Sequence, residues 1–175
     1  MSTLKELQPN VGFILAEAPG YSRVLEIEIT VPFSLDESTH LAWLRCRLTL
    51  TRNQQGIWAD GDFRTETEAE CSRCLAPFVL PLRVKLQDMF YYPPGRALNR
   101  SDYVIPDNGT MDLVEPLREQ LVIGIPLRTL CQSDCKGLCA QCGQNLNLAD
   151  CGCHAETADP RFAGLLALKQ QLEQG

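Results

Sequence analysis

The chain has 175 residues and a formal net charge of -6, from 16 basic and 22 acidic side chains. Its length and its hydrophobic fraction of 45% are typical of a globular protein and exclude a disordered chain, and the lack of a long apolar run or a secretory leader predicts a soluble, cytoplasmic protein. The acidic balance also excludes a uniformly basic surface, so a polynucleotide partner would need a local positive patch.

Four strands are predicted in the first hundred residues, because apolar and polar side chains alternate there. They cover residues 24–31, 43–52, 57–69 and 80–91, with a hairpin turn at 53–56. In the first strand, for example, Leu25 and Ile27 lie on one side and Glu26 lies on the other. Trp58 and Phe63 of the third strand are expected in the core, as large aromatic residues usually are.

Two helices are predicted after these strands. Residues 93–110 contain a Pro-Pro-Gly break and are predicted to form a loop. Asp112 and Glu115 then fit a capping box, at the start of a helix that ends before Pro126. At the C-terminus, Asp159 is the expected cap of a short amphipathic helix.

The predicted fold class is α+β, with an antiparallel β-sheet packed against one or two helices and a C-terminal cysteine-rich lobe that binds zinc. Residues 1–128 are expected to form the β-rich part, which ends in a helix. Residues 129–175 are expected to form the cysteine-rich lobe and the C-terminal helix, and we expect the two parts to make one structural unit.

Eight of the nine cysteines occur as closely spaced pairs, and Cys46 stands alone on the apolar row of a strand. The pairs are Cys71 with Cys74, Cys131 with Cys135, Cys139 with Cys142, and Cys151 with Cys153. Clustered thiols in a reducing compartment bind metal more often than they form disulfides. Zinc takes four ligands in a tetrahedron, so eight thiolates predict two closed structural zinc sites. Cys46 is expected to be an inert buried residue.

Loop-closure entropy favours one grouping of these ligands, because short loops cost less to close. The four cysteines within residues 139–153 can close one site by themselves. The pair at 71–74 and the pair at 131–135 would then form the second site and fasten the lobe to the sheet. His154 is an alternative ligand beside Cys153.

Other uses of the thiols stay open at this point. They are thiol redox chemistry, an iron–sulfur cluster, and thiols that are unmetallated or joined in disulfides. Catalytic zinc is poorly supported, because such sites usually keep three protein ligands and one open position. With two histidines, no nucleophile elbow and no phosphate-binding glycine loop, the sequence offers no catalytic residue, and we expect no enzyme and no small-molecule substrate.

A basic patch is predicted on the solvated face of the sheet. Residues 41–100 are the only net-positive third of the chain, with nine basic and six acidic side chains. The expected RNA-binding residues are Arg45, Arg47, Arg64, Arg83, Lys85 and Trp43. The alternative is an ordinary solvated face, on which Arg64 pairs with glutamates of the neighbouring strands.

A set of motifs in fixed order resembles the YceD family, the large ribosomal RNA subunit accumulation proteins. The motifs are ECSRCLAPF at 70–78, IPL at 125–127 before Cys131, CKGLCAQCG at 135–143, NLN at 145–147, CGC at 151–153 and DPR at 159–161. The resemblance implies a non-enzymatic factor in ribosome biogenesis that supports accumulation or processing of 23S ribosomal RNA. It also implies a bacterial cytosol or a plastid stroma, and it leaves the metal to be argued from cysteine spacing alone.

Three functions are consistent with these observations. The first is an assembly factor that binds large-subunit ribosomal RNA, its precursor or an assembling ribosomal protein. The second is a thiol redox or zinc-storage protein. The third is an adaptor whose acidic flanks attract a basic large-subunit ribosomal protein, and no membrane partner is expected.

Overall fold

A computed structural model describes residues 3–37, 39–97, 99 and 102–153 of the chain. The predicted helix that begins at Asp159 and the alternative ligand His154 lie outside these residues. Within the described part, no helix is long and apolar enough to cross a membrane.

The centre of the fold is a five-stranded sheet in the order β1-β4-β5-β6-β7. Its strands are β1 (Ser22–Ile29), β4 (Leu44–Asn53), β5 (Gly56–Glu70), β6 (Pro77–Tyr91) and β7 (Tyr103–Val104). A separate two-stranded ribbon joins β2 (Phe33–Ser34) to β3 (His40–Leu41). The helices are α1 (Gly12–Leu15) and α2 (Val114–Gly124), and short 3-10 turns cover Thr3–Leu7 and Pro94–Arg96.

The four long strands correspond to the four predicted ones, with ends shifted by a few residues. All three pairings among them are antiparallel. Alternation explains the burial, because every second residue of a strand faces the same side. In the middle of β5, for example, Phe63 is fully buried while its neighbours Asp62 and Arg64 are exposed.

The core lies between the inward face of the sheet and the helices. Leu48, Phe63 and Leu86 supply buried side chains from three adjacent strands, and Leu117 and Leu121 supply them from α2. The last residue of α2 has to be small, since a Cβ on Gly124 would lie 2.6 Å from Cγ1 of Val84. This close approach brings the segment that follows α2 back to the sheet.

Two details differ from the prediction for residues 93–125. The expected loop contains β7, which pairs with β6 in the parallel direction, so the sheet is mostly rather than wholly antiparallel. The predicted capping box does not form at α2, because the N-cap residue is Leu113, which makes no side-chain cap hydrogen bond. Oδ1 of Asp112 accepts a hydrogen bond from the backbone N–H of Val114, but Glu115 turns to Arg118, whose guanidinium donates to it at 2.6 Å.

Cys46 lies on the inward face of β4, where only 6% of it is exposed. Burial, with a smaller contribution from the charge of Asp62, raises the pKa of its thiol to about 12. Thiols react as thiolates, so this group has almost no nucleophilic form at neutral pH.

We therefore expect the Cys46→Ala variant to titrate the same number of thiols as the wild-type protein under native conditions. In denaturant it should titrate one thiol fewer. The measurement is a thiol assay with peptide mapping, and native alkylation of Cys46 would contradict the assignment of an inert core thiol.

Candidate metal centres and a basic sheet face

The eight paired cysteines come together in two clusters of four. The proximal cluster contains Cys71, Cys74, Cys131 and Cys135, and the distal cluster contains Cys139, Cys142, Cys151 and Cys153. Within each cluster the sulfur atoms all lie within 4.8 Å of one another. This is the grouping that loop closure favours, and each cluster could hold a metal ion.

The proximal cluster joins two distant parts of the chain. Cys71 and Cys74 lie in the turn between β5 and β6, and Cys131 and Cys135 lie in the segment after α2. Three of these four residues are buried, with Cys71 fully buried. The thiols therefore meet in a small core of their own, against Phe78, Leu130 and Leu138.

The sulfur spacing in the proximal cluster suits a tetrahedral ion. Sγ of Cys71 lies 3.8 Å from Sγ of Cys135, and Sγ of Cys74 lies 3.7 Å from Sγ of Cys131. A Zn–S bond of about 2.3 Å places neighbouring sulfurs of a tetrahedron about 3.8 Å apart. A disulfide needs about 2.05 Å, so the thiols are not bonded to each other.

The two C-x-x-C turns share one backbone design. The N–H of Leu75 donates to the carbonyl of Cys71 at 2.9 Å, and the N–H of Gly143 donates to the carbonyl of Cys139 at the same distance. Both donors have a positive φ, 58° at Leu75 and 74° at Gly143. A side chain costs free energy in this conformation, and glycine avoids the cost. The strained Leu75 is thus held in place by the turn that presents Cys71 and Cys74.

The distal cluster packs against the proximal one through an asparagine. Nδ2 of Asn147 donates to Sγ of Cys135 at 3.2 Å, and its Oδ1 accepts from the backbone N–H of Lys136 at 2.8 Å. Arg73 supports the same ligand by donating to the carbonyl of Cys135 at 2.7 Å. Groups that bind a ligand in this way fix its orientation. The distal cluster is more open, since Cys142 and Cys153 are exposed.

The thiols of each cluster differ in acidity. Backbone hydrogen bonds, of which the one from Cys131 has the largest effect, lower the pKa of Cys71 to about 6. The pKa of Cys139 is likewise lowered to about 6, and there the backbone hydrogen bond from Cys142 has the largest effect. Burial and the neighbouring thiols raise the pKa of Cys131, and the neighbouring thiols raise the pKa of Cys153. Thiolates this close repel one another, so a cation is needed before all four can ionise.

The predicted RNA-binding residues all lie on the outward face of β4, β5 and β6 or at its edge, and we call this surface the basic face. Its members are Arg45, Arg47, Arg64, Arg83, Lys85 and Trp43. Arg45, Arg64 and Arg83 stand directly opposite one another across the three strands. Arg47, Asp62 and Lys85 form the next row. An open groove of about 690 Å³ runs along this face from β1 to β6, and its charged lining consists of Arg45, Arg47, Arg64, Lys85, Glu26, Glu28, Asp60 and Asp62.

Three of the five cations on the basic face have acidic partners. Arg45 lies 2.8 Å from Glu28, Arg83 lies 3.2 Å from Asp62, and Lys85 lies 3.9 Å from Asp60. All of these side chains are well exposed, so each pair contributes only about 0–1 kcal/mol.

The remaining cations, Arg47 and Arg64, form no ion pair with any described residue. The interpretation that Arg64 pairs with glutamates of neighbouring strands is wrong for the described part of the chain. The register places arginines on both sides of Arg64. Like charges directly opposite each other destabilise a sheet, so this row costs stability.

Two residues of these sites, Trp58 and Asn147, were not predicted as site residues from the sequence. Trp58 lies on the outward face with 39% of it exposed, so its predicted place in the core is wrong. Its even position on β5, shared with Asp60, Asp62 and Arg64, was the available signal. Asn147 was noted only as part of a motif, and its bond to Cys135 depends on the folded lobe.

Comparisons with known proteins agree with the family resemblance of the cysteine motifs. Residues 59–169 match the model of a family described as large ribosomal RNA subunit accumulation protein YceD. An uncharacterised protein of Mycobacterium tuberculosis is 33% identical over 118 residues, which cover 65% of this chain and 56% of that protein. The chain thus spans about half the length of the mycobacterial relatives it matches.

Two more distant relatives extend the comparison. An Arabidopsis thaliana protein named large ribosomal RNA subunit accumulation protein YCED homolog 1, chloroplastic, is 33% identical over 69 residues, which cover 39% of this chain and 22% of that protein. The Bacillus subtilis protein YlbN, which is uncharacterised, is 26% identical over 102 residues, 58% of this chain and 59% of that protein. No solved structure matches the chain.

The clusters lead to a prediction about metal content. Native mass spectrometry should find two zinc ions on the wild-type protein, one on Cys135→Ser and one on Cys142→Ser. The Cys46→Ala variant is the matched control and should keep both ions, because its thiol belongs to neither cluster. A chelator should remove the ion of the exposed distal cluster first. A wild-type protein without zinc, or loss of zinc from Cys46→Ala, would contradict the assignment.

Proposed function

The chain belongs to the YceD family of large ribosomal RNA subunit accumulation proteins, and from this membership we propose that it is a ribosome biogenesis factor. It supports accumulation and processing of 23S ribosomal RNA, in the bacterial cytosol or a plastid stroma. It acts by binding rather than by catalysis, and its partner is the large-subunit RNA or its precursor. The name of the plastid relative, a large ribosomal RNA subunit accumulation protein homologue, supports the link to the large subunit.

The observation that carries the proposal is the row of arginines on the basic face. Arg64 has an arginine on each side, and no described carboxylate pairs with it. Such a row lowers the stability of the free protein, and an external anion would relieve the repulsion. Phosphate groups suit it because a guanidinium binds them with two parallel hydrogen bonds. The weak, exposed ion pairs of Arg45 and Arg83 would exchange their carboxylates for phosphates at little cost.

The proposed role of zinc is structural. Each cluster supplies four thiolates, so one ion per cluster has a complete set of protein ligands and keeps no open position for a substrate. The ion of the proximal cluster would hold the β5–β6 turn to the segment after α2. The ion of the distal cluster would hold the turn that carries Asn147. This closed ligand set also supports binding rather than catalysis.

A second candidate is an adaptor that binds a basic ribosomal protein. The acidic ends of the chain favour it, because residues 1–40 carry two basic and six acidic side chains and residues 101–175 carry five and ten. In this case contact with RNA would be indirect. Thiol redox and zinc storage have less support, since two sulfur pairs of the proximal cluster are 3.7 and 3.8 Å apart and three of its four cysteines are buried.

Depletion of the protein tests the ribosomal role. We expect the amount of mature 23S RNA to fall relative to 16S RNA, with precursors accumulating, because large-subunit assembly would stall. Wild-type protein supplied from a plasmid should restore the ratio. An unchanged ratio after depletion would end this proposal.

Charge reversal tests the RNA contact separately. Arg47→Glu combined with Arg64→Glu should reduce crosslinking to RNA in cells severalfold, because these two cations carry no carboxylate partner. Lys5→Glu is the matched control, since Lys5 is exposed and lies in the 3-10 turn at Thr3–Leu7, outside the basic face. Crosslinking that is unchanged in the double variant would favour the adaptor, whose protein partners should survive RNase treatment.

A further inference from the structure

Trp43 lies at one end of the basic face, and Trp58 lies beyond its other end on the same side of the sheet. Trp43 lies beside Glu66 of β5, since the backbone N–H of Ala42 donates to the carbonyl of Glu66 at 2.9 Å. Trp58 lies at the opposite end of the same strand, between Thr51 and Met89 in the register of the sheet. The rows that contain the five cations lie between the two indoles.

The separation of the two tryptophans follows from strand geometry. Trp58 and Glu66 are eight residues apart on β5, and a strand rises about 3.3 Å per residue, so the indoles are separated by about 26 Å along the strand. Both positions face outward, because Trp58 shares its side with Asp60 and Asp62, and Trp43 contacts the outward Arg45.

Trp43 is fixed in place and has open space beside it. Its Nε1 donates to a carboxylate oxygen of Glu66 at 3.1 Å, and the guanidinium of Arg45 lies over its ring at 5.8 Å from the centroid. A depression of about 370 Å³ lies between Trp43 and the side chains of Arg64, Pro81 and Arg83. Arg45 is not part of this depression, so a flat group could enter it beside the indole.

We infer that the basic face binds a short single-stranded segment of RNA, with bases against Trp43 and Trp58 and phosphates at Arg47 and Arg64. The inference rests on the proposed role in large-subunit RNA metabolism and specifies the form of RNA that this site takes. Base stacking on an aromatic side chain requires an unpaired base, because the bases of a duplex are stacked on one another. A track of this length fits on the order of five nucleotides.

The charges on the face favour RNA over an acidic peptide as the occupant. The five cations alternate with Glu26, Glu28, Asp60 and Asp62, so a chain with a carboxylate at each residue would meet repulsion as often as attraction. A nucleic acid strand has widely spaced phosphates with flat bases between them. This pattern matches two indoles with cations between them, of which Arg47 and Arg64 pair with no described carboxylate.

The test is binding of fluorescein-labelled oligouridines of increasing length to the zinc-loaded full chain. Affinity should rise with length and level off near about 5 nucleotides, and the same sequence in a duplex should bind at least about tenfold more weakly. Intrinsic fluorescence should be quenched both in Trp58→Phe, which reports on Trp43, and in Trp43→Phe, which reports on Trp58. In Arg64→Gln the slope of log K against log salt should decrease by about 0.7, the value for one phosphate contact with a single strand.

Matched variants separate stacking from folding. Trp43→Phe and Trp58→Phe should keep most of the affinity, while Trp43→Leu and Trp58→Leu should each lose about tenfold. Trp58 is the more exposed of the two, so Trp58→Leu serves if Trp43→Leu does not fold. Equal or tighter binding of the duplex, equal binding of an oligoglutamate, or leucine variants that bind like the wild type would each overturn the inference. A fall in 23S RNA on depletion together with no binding of oligouridine would overturn it and leave the proposed function standing.

Discussion

The meeting of four sulfur atoms between the β5–β6 turn and the segment after α2 organises the C-terminal half of the described chain. Cys71 and Cys135 are 64 residues apart in sequence, yet their sulfurs lie at the separation expected for two ligands of one ion. The segment that carries the distal cysteines is joined to this cluster by the hydrogen bond from Asn147 to Cys135 and by the backbone bond from Leu138 to Arg73. The outward face of the same β5–β6 hairpin carries the arginine row. One hairpin therefore presents cations along its length and, at its tip, a turn whose two cysteines could bind a metal ion.

The basic face illustrates a conflict between stability and binding. A sheet selected for stability alone would have an acidic residue opposite Arg64. The sheet of this protein has such a pair at Arg45 and Glu28, but it has arginines on both sides of Arg64. Self-repulsion of this kind is tolerated where it prepares a site for an anion, and the cost is limited because the side chains are exposed to water. Three cations of the face are thus neutralised by carboxylates and two are not, and this arrangement would let an acidic protein bind the polyanion that we propose as its partner.

Sequence patterns predicted the strands well because alternation depends only on local geometry. The grouping of cysteines was also accessible, since loop length alone favours it. The neighbours of Arg64 could not be predicted, because they depend on the register between strands. A shift of one residue would have brought different side chains opposite Arg64. Trp58 was misjudged for a related reason. The prediction relied on the fact that tryptophan is usually buried. It should have relied on the even position of Trp58 in β5, because even and odd positions of a strand face opposite sides of the sheet. The parallel strand β7 is two residues long and has too short a pattern to detect.

The contrast between the two clusters has a consequence for the order of folding. The distal cluster spans residues 139–153, whereas the proximal cluster can close only after β5, β6 and α2 have brought residues far apart in sequence together. Contacts between neighbours in sequence form quickly, and contacts between distant residues wait for the chain to condense. On a chain that emerges from the ribosome N-terminus first, all strands of the sheet emerge before the distal cysteines do, so the sheet can form first. The lobe would then close on a finished scaffold, so uptake of the first ion would mark the end of sheet assembly rather than its beginning.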